Sequence, residues 1–140
     1  MNVQIEQWEL YVDKQQTKDL YAQQPYQNDN IFGLNYIEVC SFCEPQILNF
    51  FDALGVDILK PTALHYLPVE GDCIMYSGCY HVIGERLKGE LDEWDILVEQ
   101  FCFALTADQY DKPEQLTTQW IEISFEVVLP WMLFEAIPTV

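Results

Sequence analysis

The sequence predicts one α+β domain over residues 1–140: a mainly antiparallel β-sheet of about five strands with one or two helices packed on it. Three observations lead there. Residues 119–129, Q-W-I-E-I-S-F-E-V-V-L, alternate apolar and polar side chains at period two. The V-E-G-D turn stands between two apolar, β-prone runs, 62–67 and 73–83, as in a hairpin. No crossover-length helix separates the later strands, which argues against a doubly wound nucleotide-binding sheet.

Along the chain, residues 2–12 mix polar and apolar side chains in near-alternation (Val3, Ile5, Trp8, Leu10, Val12) and read as a first strand. Residues 14–30 are amide-rich and broken by Pro25, which suits a short helical turn and then a loop. Residues 31–39 fit helix and strand equally. A helix is expected from Pro45, because proline's missing N–H would be unpaired in a first turn anyway. Ile47, Phe51 and Leu54 form its apolar stripe, broadened by Leu48 and Phe50, and Gly55 supplies a left-handed stop.

The run 73–83 is apolar on both faces. Cys73, Met75, Cys79, His81 and Ile83 line one, and Ile74, Tyr76, Tyr80 and Val82 the other. That marks a central strand, with Gly78 as a candidate bulge. Residues 94–105 admit helix or strand, and the period-two set Phe101, Phe103 and Leu105 favours strand. In 119–129, Ile121, Ile123, Phe125 and Val127 point one way while Glu122, Ser124 and Glu126 point the other, until Pro130 ends the run. The apolar W-M-L-F-E-A-I-P that follows either packs back or meets a partner.

Half of the 140 residues are hydrophobic, with eight Phe, eight Tyr and four Trp. That is enough for a core without a metal or disulfide staple. No apolar run approaches the ~18 to 20 residues of a membrane span. The first ten residues are polar and acidic where a signal peptide would be basic and then apolar. Five cysteines are odd in number and sparse for a secreted disulfide scaffold. A cytoplasmic protein with free thiols is the expectation.

Charge is the most informative global property. Twenty-three acids face six bases, for a formal charge of −17. Residues 1–70 hold ten acids against three bases, and residues 71–140 hold thirteen against three. The acidity therefore belongs to the folded body rather than to a tail. Such a field repels nucleic acid and anionic membrane, and speeds encounter with basic proteins.

Cys40 and Cys43 have the spacing of redox and zinc motifs. The helix start beside Cys43 favours its thiolate, Glu38 and Glu44 oppose it, and the βαβ setting of a redox motif is missing. As half of a zinc site, the pair would be completed by Cys79 and His81, which share a strand face. Cys40, Cys43, Cys79 and His81 thus define an alternative reading, a small metal- or thiol-dependent protein. The second pair is poorly spaced for a tetrahedral site, so the expectation is no cofactor and no stoichiometric zinc. His65 and His81 fall about 16 Å apart at about 3.3 Å per residue, too far to share one centre. None of the three serines (Ser41, Ser77, Ser124) sits in G-x-S-x-G, and no glycine-rich phosphate loop exists. No catalytic residue is assigned.

What remains is G-E-L-D-E-W-D-I-L-V-E-Q, residues 89–100, the densest acidic run. Glu90, Asp92, Glu93, Asp95 and Glu99 surround Trp94 with no base among them. An aromatic anchor inside a ring of carboxylates has the composition of a hot spot for an Arg- and Lys-rich partner. The competing reading is a solvated turn with Trp94 in the core. The expected function is a small acidic binding and inhibitory protein of immunity or antitoxin type, whose partner is a basic toxin or nuclease domain. A self-associating structural subunit is a further alternative, and the sequence leaves monomer and homodimer equally open.

Overall fold

The computed structural model describes residues 1–139. The chain opens with a hairpin, β1 (Asn2–Ile5) paired antiparallel with β2 (Trp8–Val12). The single strand expected over 2–12 is therefore two. Glu6 makes the turn at a φ of +50°, without the Gly or Asn that would announce it. α1 (Lys14–Ala22) is a full nine-residue helix rather than a turn, capped by Asp13, whose carboxylate accepts from the Gln16 N–H. α2 (Ile31–Cys40) settles the open segment as helix, with Asn30 as its cap. α3 (Pro45–Leu54) follows expectation: Pro45 opens it and Gly55 closes it at a φ of +75°.

The remaining strands are β3 (Ala63–Val69), β4 (Cys73–Lys88), β5 (Ile96–Val98), β6 (Phe101–Thr106) and β7 (Trp120–Pro130). They complete a seven-stranded sheet of order β1-β2-β4-β7-β6-β5, with β3 also on β4. Every pairing is antiparallel. The class is the α+β expected, with more strands than anticipated because 2–12 and 94–105 each fold as a hairpin rather than a single strand.

β4 is central, as its two apolar faces imply. β7 runs along one edge from Cys73 to Ile83, and the other edge is shared by β3 and β2. Gly78 is not a bulge, since its register with β7 is unbroken. It allows β3 to approach instead: a Cβ there would lie 1.9 Å from the Ala63 carbonyl oxygen. Between β3 and β2, helix α1 pairs the exposed backbone of β4. The Tyr21 hydroxyl donates to the His81 carbonyl (2.8 Å) and accepts from the His81 N–H (2.9 Å). The Thr17 hydroxyl accepts from the Ile83 N–H at 3.1 Å, and the Asp13 N–H donates to the Ile83 carbonyl at 2.8 Å. A helix side chain here replaces a strand neighbour.

The helices cover the face carrying Tyr76, Tyr80 and Val82, with Ile121, Ile123 and Phe125 from β7. Phe50, Phe51, Phe101, Phe103 and Phe125 form an aromatic cluster there. On the opposite face, Cys79, His81, Glu122, Ser124 and Thr106 are also buried. The β6–β7 connection lies over them. Among the described residues, no helix is long and apolar enough to cross a membrane.

Candidate functional site

The two halves of the zinc alternative lie on opposite faces of the sheet. Cys40 ends α2 within the core beside Tyr36 and Tyr80, and Cys43 follows it half-buried. Cys79 points to the other face, because side chains alternate along β4 and Tyr80 faces the core. The structure does not bring Cys40 and Cys43 to Cys79 and His81. All five cysteines are free. The neighbouring Cys40 thiol lowers the Cys43 pKa, whereas Cys40 itself is raised by Cys43 and by burial.

Cys79 and His81 meet a residue that sequence reasoning left among the outward-facing carboxylates. Glu122 of β7 lies directly opposite His81 in the ladder. One donor atom each from Cys79, His81 and Glu122 lie within 4.8 Å of one another, all buried. The Thr62 hydroxyl stands 2.7 Å from His81 Nδ1 and 3.2 Å from Cys79 Sγ, and donates to the Cys79 carbonyl oxygen at 3.1 Å. Glu122 Oε1 accepts from the Thr106 hydroxyl and the Gln109 N–H, and Oε2 from the Tyr110 N–H. These bonds tether the β6–β7 connection to the sheet.

His81 Nε2 is 3.5 Å from Glu122 Oε2 and has no hydrogen-bond partner, although both side chains are almost wholly buried. Burial holds the His81 pKa below its usual value against the opposing pull of Glu122. It pushes the Cys79 thiol up to about 12, only partly offset by the Thr62 bond. A thiol this buried and this basic is no nucleophile at neutral pH. His65 sits on β3 opposite Ser77, its ring stacked on Tyr110, and is not among the three clustered donors.

The acidic stretch forms the connection from β4 through β5. Glu90, Asp92, Glu93, Trp94, Asp95 and Glu99 are all exposed. Trp94 is 38% exposed, so it is not a core side chain. The connection is held in shape. Leu91 bridges Leu105, the Asp92 N–H donates to the Leu105 carbonyl, and Asp95 accepts from the Gln7 amide. Asp92 and Glu99 hold positive φ values of 63° and 53°. Leu87, Leu91 and Leu97 join Trp94 as exposed large apolar side chains, at 47, 37 and 68%. Arg86 turns onto the connection's backbone, donating to the Gly89 carbonyl.

Comparison with protein-family models, with curated proteins and with solved structures finds no match.

Proposed function

We propose that this chain is a small acidic binding protein that inhibits a basic partner, an immunity- or antitoxin-type protein occluding the cleft of a nuclease-like toxin. The observation that supports it is the connection after β4. There and on the flanking strands, four exposed apolar side chains, Leu87 of β4, Leu91, Trp94 and Leu97 of β5, accompany five exposed carboxylates. Exposed apolar side chains, an aromatic among them, set beside charged ones have the composition of a protein–protein hot spot. The bonds that hold the connection in shape reduce the ordering cost of binding. The carboxylates steer encounter, and burial of Trp94 and its leucine neighbours sets the lifetime of the complex. The same charge disfavours nucleic acid and anionic membrane as partners.

The test is association kinetics against a basic protein encoded beside this gene. Replacing Glu90, Asp92, Glu93 and Asp95 by Lys should slow association about tenfold or more at low ionic strength. The loss should shrink as the Debye length falls from ~30 Å at 0.01 M to ~8 Å at 0.15 M. Trp94→Ala should leave association unchanged and quicken dissociation, without salt dependence. A four-Lys variant that associates as fast as wild type at low salt overturns the proposal.

A further inference from the structure

We propose that Cys79, His81 and Glu122 form a binding site for one divalent transition-metal ion of the zinc class, seated beneath the β6–β7 connection. The inference is independent of the acidic partner surface, which lies on a different connection.

The vacant donor is His81 Nε2, a polar atom sealed from water with nothing to bond. The Thr62 hydroxyl lies 2.7 Å from His81 Nδ1 and 3.1 Å from the Cys79 carbonyl, and that carbonyl also accepts the Thr62 N–H at 2.9 Å. When a cation takes Nε2, the short contact between Thr62 and His81 Nδ1 is the one the imidazole donates, Nδ1–H to Oγ1. In that tautomer Nε2 carries a bare lone pair and faces Glu122 Oε2. Two buried polar atoms thus face each other with no hydrogen bond between them. The 3.5 Å separation is also too long for a good N–H···O bond if the proton is moved across. A cation between the two atoms resolves both faults.

The spacing suits such an ion. Zinc stands about 2.0 to 2.1 Å from an imidazole nitrogen and about 2.0 to 2.2 Å from a carboxylate oxygen. At a near-tetrahedral angle those bonds set the two donors about 3.3 to 3.5 Å apart, the separation already present. Cys79 Sγ lies 3.9 Å from His81 Nδ1, and the three residues each offer a donor within 4.8 Å of the others. A thiolate and a carboxylate neutralise a dication, so the loaded cluster buries no net charge. One sulfur, one imidazole and one carboxylate select a borderline ion such as zinc over calcium or magnesium, which take oxygen alone.

The groups behind the donors are also in place. A metal-bound histidine characteristically donates its other N–H to an oxygen, and Thr62 provides it. The Glu122 oxygens are oriented by Thr106, Gln109 and Tyr110. A cavity of about 310 Å³ bordered by Pro61, Thr62, Lys112 and Pro113 shares Thr62 with the cluster. The expectation of no zinc counted only sulfur and nitrogen donors. The third donor is a carboxylate that no spacing rule could single out among 23 acids.

The test titrates chelator-treated, reduced protein with Co²⁺ and then Zn²⁺. One equivalent of Co²⁺ should bind with a thiolate-to-cobalt charge-transfer band, which Zn²⁺ abolishes. Cys79→Ser should remove the band, and Glu122→Gln should weaken binding at least about tenfold. The double variant Cys40→Ser, Cys43→Ser should keep the band. X-ray absorption on the loaded wild-type protein tests the same point without any core substitution. One sulfur among nitrogen and oxygen neighbours is expected. Two sulfurs would move the site to Cys40 and Cys43, and none would leave only surface carboxylates; either overturns the proposal.

Discussion

Individual thiols and phenols report their surroundings. Cys43, Cys73 and Cys102 are partly exposed, whereas Cys40 and Cys79 are buried. A disulfide reagent should modify Cys43 first, because it is half-exposed and the neighbouring Cys40 thiol favours its thiolate. Cys102 should lag, since burial and the nearby Glu126 and Asp95 hold its pKa up. Cys40 and Cys79 should react only on unfolding, for a total of five. A total of three after unfolding would reveal a disulfide.

Tyr21, Tyr36 and Tyr80 carry pKa values well above 10, chiefly through desolvation. A raised folded pKa means that the folded state keeps protons that the unfolded chain releases. This stabilisation is present below an unfolded pKa of about 10 and is lost as pH climbs beyond it. In an alkaline absorbance titration these three phenols should ionise together with loss of structure. Gradual ionisation within the folded protein would contradict the burial described.

At the scale of elements, the junction of α1 with β4 is where side chains stand in for a strand. Tyr21→Phe removes one hydroxyl and leaves both the N–H and the carbonyl of His81 unpaired. The cost should be about 2 to 4 kcal/mol by denaturant unfolding. Thr17→Val leaves the Ile83 N–H unpaired and should cost about 1 to 3 kcal/mol, with Thr17→Ser restoring most of it. Gly78→Ala should cost at least about 3 kcal/mol, since the Ala63 carbonyl would have to retreat and take β3 with it. A neutral result for Tyr21→Phe would mean that water, not the phenol, pairs that edge.

At the scale of the whole molecule, repulsion is scarcely relieved from within. Among the described residues, Lys14–Asp52 is the one ion pair between a Lys or Arg and a carboxylate. Lys60, Arg86 and Lys112 donate to backbone carbonyls. With a formal charge of −17, screening should stabilise the free protein. Raising sodium chloride from 0.01 to 0.15 M should add about 1 kcal/mol, or about 4 °C in Tm for a domain of this size. A Tm that falls over that range would show that surface attraction outweighs repulsion.

The sequence by itself determined what local chemistry encodes. Period two in 119–129 gave β7 and its core residues Ile121, Ile123, Phe125 and Val127, because alternation is a property of a strand alone. Pro45 and Gly55 bounded α3 because capping depends only on the first and last turns. The two apolar faces of 73–83 marked β4 as central. The acidic run of the proposed interface was legible as composition, and the structure added that Trp94 is exposed there. The rest depended on what lies above a face. Alternation assigned Glu122 to the outer side correctly, but not that the β6–β7 connection would fold over it and bury it beside His81. Asp13, Thr17 and Tyr21 read as an ordinary polar stretch until α1 met the edge of β4. Pairing partners far apart in sequence are chosen by the packed whole, so the buried Cys79–His81–Glu122 cluster belongs to the tertiary structure alone.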